Sequence, residues 1–201
     1  MKKIISLLSA AVITVAAFAA TPSITADAPL PATTPTTLDD FEEGMYINAV
    51  RDGWDQFGNK FMVNEFSTAS STAARWDGKG NCGVLEYADL PGNSSQCLHY
   101  ECMDMIENNW RNYKYLTFTV NNPNDYPVTV QFYSKTGANW QWGNSDAVTI
   151  DSGIHTITVT ISTASVAVSS NVLSFGIVFY VDGVHPSSKI YIDDLTLWSK
   201  K

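Results

Sequence analysis

Asn139-Trp140-Gln141-Trp142 sets two indole rings two residues apart, with Gly137 and Gly143 on either side. Written as a strand, that spacing sends both rings off one face. Trp54, among Asp52, Asp55 and Gln56, is another ring in polar company, and Trp76, between Arg75 and Asp77, is a further one. A flat exposed ring can lie on the apolar C–H face of a sugar, and planar polar side chains beside it can reach the hydroxyls. Gln131 with Tyr133, and Tyr180 with Asp182, are alternate-residue pairs that supply such partners. Aromatic residues more often fill cores. Against that, the neighbours of Trp140 and Trp142 are polar or flexible on both sides.

Residues that could break a bond are harder to assemble. Paired carboxylates for glycoside hydrolysis need to leave one face and stand about 5 Å apart in a retaining enzyme. Glu101, Asp104 and Glu107 are spaced by three, so on a strand neighbours in that series point to opposite faces. Glu65 and Glu86 are single strand carboxylates. His99, His155 and His185 are scattered without metal-ligand spacing. A polysaccharide lyase would need a Tyr or His base near a cationic side chain, and Arg51, Arg75 and Arg111 each stand alone. No Gly-x-Ser-x-Gly elbow or phosphate loop is present. The pattern predicts a binding protein without catalytic residues.

The elements that must carry these side chains are written in period two. Leu116, Phe118 and Val120 alternate with Tyr115, Thr117 and Thr119; Val128, Val130 and Phe132 alternate with Thr129, Gln131 and Tyr133. Ile154–Ile161 and Phe175–Asp182 repeat the pattern, and Ile190–Leu197 reads as a last strand. Alternation bounded by turns such as Asn121-Asn122-Pro123-Asn124-Asp125 and Asp151-Ser152-Gly153 marks half-buried strands. With only a short turn expected near 104–110, the fold class is all-β: a β-sandwich or jelly roll of two antiparallel sheets.

Lys2 and Lys3 followed by the apolar run Ile4–Ala20 read as a secretory signal peptide within residues 1–28, cleaved near residue 19 or at 26–28. The Thr/Pro-rich stretch 29–38 reads as a disordered linker, and 39–201 as one domain. Twelve basic and twenty acidic residues give −8. Removing the two leader lysines leaves ten against twenty, or −10. Such a charge disfavours nucleic acid and anionic membrane surfaces as partners and favours a neutral ligand. A secreted, extracellular monomer is expected. Three cysteines, Cys82, Cys97 and Cys102, make an odd set. A hairpin turning at Leu90–Asn93 would place Cys82 opposite Cys102, whereas the inward pattern of Leu85, Tyr87, Leu98 and Tyr100 prefers a register one residue away. Whether Cys82 pairs with Cys102, with Cys97 or with neither stays open.

Asp39-Asp40-Phe41-Glu42-Glu43-Gly44 with Gly53-Trp54, then Gly78-Lys79-Gly80-Asn81, then the run from Trp110 to Phe118, and finally the run from Lys189 to Leu197 occur in an order that resembles a known family. It is similar to the β-jelly-roll carbohydrate-binding modules of bacterial cellulases and xylanases, family 11 above all and the related families 4 and 22, within the galactose-binding-like superfamily. The resemblance spans Asp39 to Trp198. It implies a calcium ion tying the first strand to the last, held by the Asp40 carbonyl, the Glu42 side chain and one of Asp193 and Asp194. It also implies that a concave sheet carries the ligand site, here Gln131, Tyr133, Trp140, Trp142, Tyr180 and Asp182, with Trp54 in addition. The expected ligand is a neutral plant-type polysaccharide, a β-glucan or related β-1,4-linked glycan such as a hemicellulose. A lyase or hydrolase on the same fold, and a surface adhesin, are the competing readings.

Overall fold

A computed structural model of the chain describes residues 23–42, 71–88, 96–102, 107–161, 169–181, 185 and 187–201. Eleven strands and one 3-10 turn make up the described elements: β1 (Ile24–Ala26), β2 (Pro35–Asp39), β3 (Ser71–Ala74), β4 (Asn81–Ala88), β5 (Gln96–Cys102), the turn Trp110–Asn112, β6 (Tyr113–Asn122), β7 (Val128–Thr136), β8 (Gln141–Ile150), β9 (Gly153–Thr160), β10 (Val172–Val181) and β11 (Ser187–Ser199). They form two antiparallel sheets. One runs β1-β9-β6-β11-β4-β3, with β2 also paired to β11; the other runs β5-β10-β7-β8. The alternation read from the sequence decides which residues face inward. Leu116, Phe118 and Val120 of β6 meet Val128, Val130 and Phe132 of β7 and Phe175, Ile177, Phe179 and Val181 of β10 in one buried core. Trp110 packs against Phe132 and Phe175 in the same core. Each such side chain taken from water is worth about 1.5–3 kcal/mol, which is what holds the two layers together.

The last strand changes parity midway. Ile190 and Ile192 are buried, and then Leu195 and Leu197 are. The register against β6 shifts between Asp193 and Thr196, and Asp194 takes φ 56°. One extra residue in a left-handed conformation is a β-bulge, and it turns both aspartates out of strict alternation. On the outer face of the larger sheet, Thr25, Thr158, Thr117, Thr196 and Thr37 are successive cross-strand partners from β1 through β9, β6 and β11 to β2.

Two expectations are corrected. The Thr/Pro-rich stretch is not a free linker. Ile24–Ala26 pairs with β9 and Pro35–Asp39 with β11, so ordered structure begins upstream of residue 39. Its composition is poor in apolar residues, but edge strands need few: Ile24 and Leu38 face the core, and backbone bonds such as Thr160 N–H to the Ser23 carbonyl (2.8 Å) do the rest. A cut at 26–28 would sever β1, whereas a cut near residue 19 spares it. The second correction is the hairpin between residues 82 and 102. β4 and β5 lie in different sheets, so Cys82 is not opposite Cys102. Cys82 is a free, fully buried thiol whose Sγ lies 3.6 Å from the Ala73 carbonyl oxygen, and burial pushes its pKa up to about 11.

Candidate functional site

The four-stranded sheet turns one face to the core and the other, carrying the residues picked out from the sequence, away from it. Tyr180 stands opposite Thr129, and Gln131 and Tyr133 follow on the same strand face. β8 completes the row through a bulge: the register against β7 shifts between Gln131 and Tyr133, where the Ser145 hydroxyl accepts the Phe132 N–H at 2.9 Å. Trp142 pairs with Lys135 and Asn144 with Tyr133, which brings both onto that face. The sheet thus brings Gln131, Tyr133, Trp142 and Tyr180 onto one face, with the Tyr180 hydroxyl donating to Gln131 Oε1 at 3.2 Å. The Gln131 amide in turn donates to the Ser145 carbonyl at 2.9 Å, which fixes which way it points.

The rings are layered. Tyr133 is only 3% exposed, and Trp142 lies over it nearly parallel, 10° apart with centroids at 4.5 Å. Trp142 is 47% exposed, so it, and not Tyr133, offers the open surface. Lys135 Nζ is 4.9 Å from the Trp142 centroid and 5.3 Å from that of Tyr133. With the rings 4.5 Å apart, those lengths form a nearly equilateral triangle. The ammonium therefore sits beside the stack and leaves the far face of Trp142 clear.

Beneath and beside the stack lie residues that sequence reasoning missed. His99 and Glu101, alternate residues on β5, point to the same side as Tyr133 across β10. His99 Nε2 bonds the Tyr133 hydroxyl. Glu101 Oε1 accepts from Lys135 Nζ at 2.6 Å and from the Ser174 hydroxyl at 3.0 Å. Burial lowers His99 to about 4, with the Lys135 charge adding to burial and Glu101 opposing both, so the imidazole is neutral near pH 7. Burial alone would raise Glu101, but the Lys135 ammonium and the Ser174 hydroxyl outweigh it and hold the carboxyl below its ordinary range. The one visible signal for these residues was the alternate spacing of His99 with Glu101 and of Tyr133 with Lys135. Assigning β4 and β5 to one hairpin hid it.

Trp140 departs from the strand rule. It closes the turn 137–140 before β8 begins, with its N–H donating to the Gly137 carbonyl at 3.2 Å. Its φ is 52° and it is 47% exposed. The two-residue spacing therefore does not fix its face relative to Trp142. Trp54 and Asp182 lie outside the described residues. Trp76 sits on the other sheet, tilted against Tyr191 and capped by Arg75.

Among the residues expected to hold calcium, Asp193 and Asp194 are met by an arginine. Arg75 Nη1 is 3.1 Å from Asp193 Oδ2, and Nη2 is 3.0 Å from Asp194 Oδ2. Thr119 donates to Asp194 as well, at 3.1 Å. Glu42 Oε1 accepts the Asn81 N–H at 2.7 Å and fills the space over Gly80, where a Cβ would lie 1.9 Å from that oxygen. Asp40 Oδ1 accepts the Glu42 N–H at 3.3 Å. Among the described residues no three His, Cys, Asp or Glu side chains form a metal-binding group. A guanidinium thus bridges Asp193 and Asp194, one of which was expected to bind the ion. Asp193 is nonetheless raised to about 6, by burial first and by the charges of Asp194 and Glu42.

Solved structures share this fold. A family 11 carbohydrate-binding module studied in solution aligns over 85% of this chain and 98% of its own, at 15% identity and a TM-score of 0.54. An exo-β-agarase aligns over 83% of this chain at 10% identity and a TM-score of 0.55, but that match spans only 25% of the agarase. No curated protein matches the chain. A family model described as "Mannanase, galactose-binding domain-like" matches residues 40–194. This places the jelly roll among the galactose-binding-like domains, and the chain belongs to the mannanase galactose-binding domain-like family.

Proposed function

We propose that this domain binds a neutral β-linked polysaccharide by stacking a sugar ring on Trp142, and that it does not transform the chain it holds. The observation that carries the reading is the half-exposed Trp142, seated on a buried Tyr133 on the sheet face that also holds Gln131 and Tyr180. Gln131 and Tyr180, already bonded to each other, offer polar atoms along the same face. The face carries no uncompensated charge at Glu101 or Lys135, because they pair with each other. That suits an uncharged sugar better than a uronate. The same pairing argues against catalysis: Glu101 is 3% exposed and bound to an ammonium, so it is poorly placed to move a proton to a ligand. The sequence resemblance brings β-glucans as ligands, and the family description brings β-mannan. Secretion, with cleavage upstream of Ser23 so that β1 survives, is part of the same reading.

Isothermal titration and affinity electrophoresis with β-mannan, mixed-linkage β-glucan, xyloglucan and xylan test it. Binding to at least one is expected, reduced more than tenfold by Trp142→Ala, as for truncation of a tryptophan at the centre of an interface. No binding across the panel, or new reducing ends released from it, would sink the reading.

A further inference from the structure

We infer that Gly176 is the positioning residue of the aromatic platform: its missing side chain is the bed on which Tyr133 lies and Trp142 is held level. Gly176 sits mid-strand in β10, opposite Glu101 on one side and Tyr133 on the other. Its φ is not in the left-handed range, so the backbone there would accept any residue. Glycine inside a strand weakens it by about 0.5–1 kcal/mol relative to alanine. Its presence therefore calls for a steric cause, and the geometry supplies one. A Cβ built on Gly176 would lie 2.2 Å from Tyr133 Cε1, 2.3 Å from Cζ and 2.5 Å from the hydroxyl oxygen. The ring thus lies flat across β10 instead of standing out from β7, and its hydroxyl reaches His99 on β5.

That posture is what lets a residue from the far edge join it. Trp142 comes from β8, on the opposite side of β7, and stacks at 10° on the ring. Lys135, fastened to Glu101, braces the flank of both rings. One side chain from each of β7 and β8, resting on the bare backbone of β10 and tied to β5, makes a level surface spanning the sheet. Any side chain at 176 would lift Tyr133, and Trp142 would lose the support that keeps its outer face parallel to the sheet.

The inference rests on the proposed sugar site, and two readouts keep the ideas separate. In the full mature protein, Gly176→Ala is expected to lose about tenfold in glycan affinity, the worth of one aromatic pair, and to change the near-ultraviolet circular dichroism that a Tyr–Trp stack produces. Tyr133→Leu should cause the same loss with Gly176 intact, and the double variant should be no worse than either alone, since both remove one support. Tyr133→Phe, which keeps the ring and loses the His99 bond, should retain most of the affinity. Ile154→Ala, on the other sheet, serves as the control. If Gly176→Ala leaves both the spectrum and the affinity unchanged, or if the double variant loses the product of the single losses, the inference is wrong. If the parent protein binds no glycan, the spectral change still decides the role of Gly176. Should Gly176→Ala fold poorly, Tyr133→Leu and Tyr133→Phe decide it by their contrast.

Discussion

Single side chains divide the labour of the site unevenly. Trp142 has a level seat and an open face, while Trp140, equally exposed, is held in a turn at φ 52°. A non-glycine residue there pays roughly 1–2 kcal/mol in backbone strain. Beside the last strand of the larger sheet, Arg75 shows how a charge can be supplied from within. Its guanidinium is 22% exposed and faces Asp193, at 2%, and Asp194, at 47%. Taking it away leaves Asp193 buried and uncompensated, so Arg75→Ala should destabilise the domain by about 2–3 kcal/mol, somewhat under the cost of breaking a fully buried pair. Thermal unfolding of the parent protein with EDTA and with added calcium tests whether an ion joins Arg75 at these carboxylates. A midpoint that falls with the chelator would reveal a bound ion, and an unchanged one would leave the carboxylates to Arg75 alone. The Arg75→Ala variant, with its carboxylates released, should instead gain stability on addition of calcium.

At the scale of elements, the strands themselves were legible and their partners were not. Alternation in residues 115–120, 128–133 and 175–181 gave the inward faces of β6, β7 and β10 correctly, because period two depends only on the pleat. It could not say that β5 joins β10 in the smaller sheet, since a strand's neighbour is set by packing of distant segments. Nothing in the pattern therefore brings His99 and Glu101 to Tyr133, and nothing in it excludes a register between β4 and β5. Nor does alternation announce bulges: the parity change at Asp193–Asp194 and the shift opposite Phe132 each insert a residue without a sequence mark. The placement of His99 on β5 has a measurable consequence. In the unfolded chain its imidazole takes a proton near 6.5, and in the fold only near 4. Between those values the unfolded state binds more protons, so stability should fall as pH drops through that window and level off below it. Glu101, held below its ordinary range, adds a loss of the same sign in acid. The His99 part would reach about 3 kcal/mol if burial were complete, and about 1–2 for a ring that solvent partly reaches. Denaturant midpoints measured from pH 7 to 4.5 should show the slope, and His99→Gln should flatten it.

For the whole molecule, the N-terminal edge matters more than its composition suggests. β1 closes the outer side of β9, and Asp27 adds a clasp: Oδ2 meets His155 Nδ1 at 2.8 Å, Oδ1 accepts the Thr156 N–H at 3.0 Å, and the bond to His155 leads in drawing the Asp27 carboxyl below its usual range. A protein beginning at residue 28 should lose about 1–2 kcal/mol, or several degrees in melting temperature for a domain of this size. Under the secretion proposed above, mass analysis of the processed product should find a start upstream of Ser23; a start at 27–29 would show that the domain forgoes β1.

The threonine row on the larger sheet carries a consequence for how the chain reaches this state. β9 offers Thr156, Thr158 and Thr160 on its outer face, and β6 answers with Thr117 and Thr119. Sliding either strand by two residues still matches threonine to threonine, so the outer face scarcely penalises the error. Discrimination falls to the inner face, where Phe118 must meet Ile157 and Leu116 must meet Val159. A change such as Phe118→Ala would therefore do more than open a cavity. It would remove the size difference that tells the correct alignment from its neighbour, and kinetically trapped, misaligned chains should accumulate on refolding.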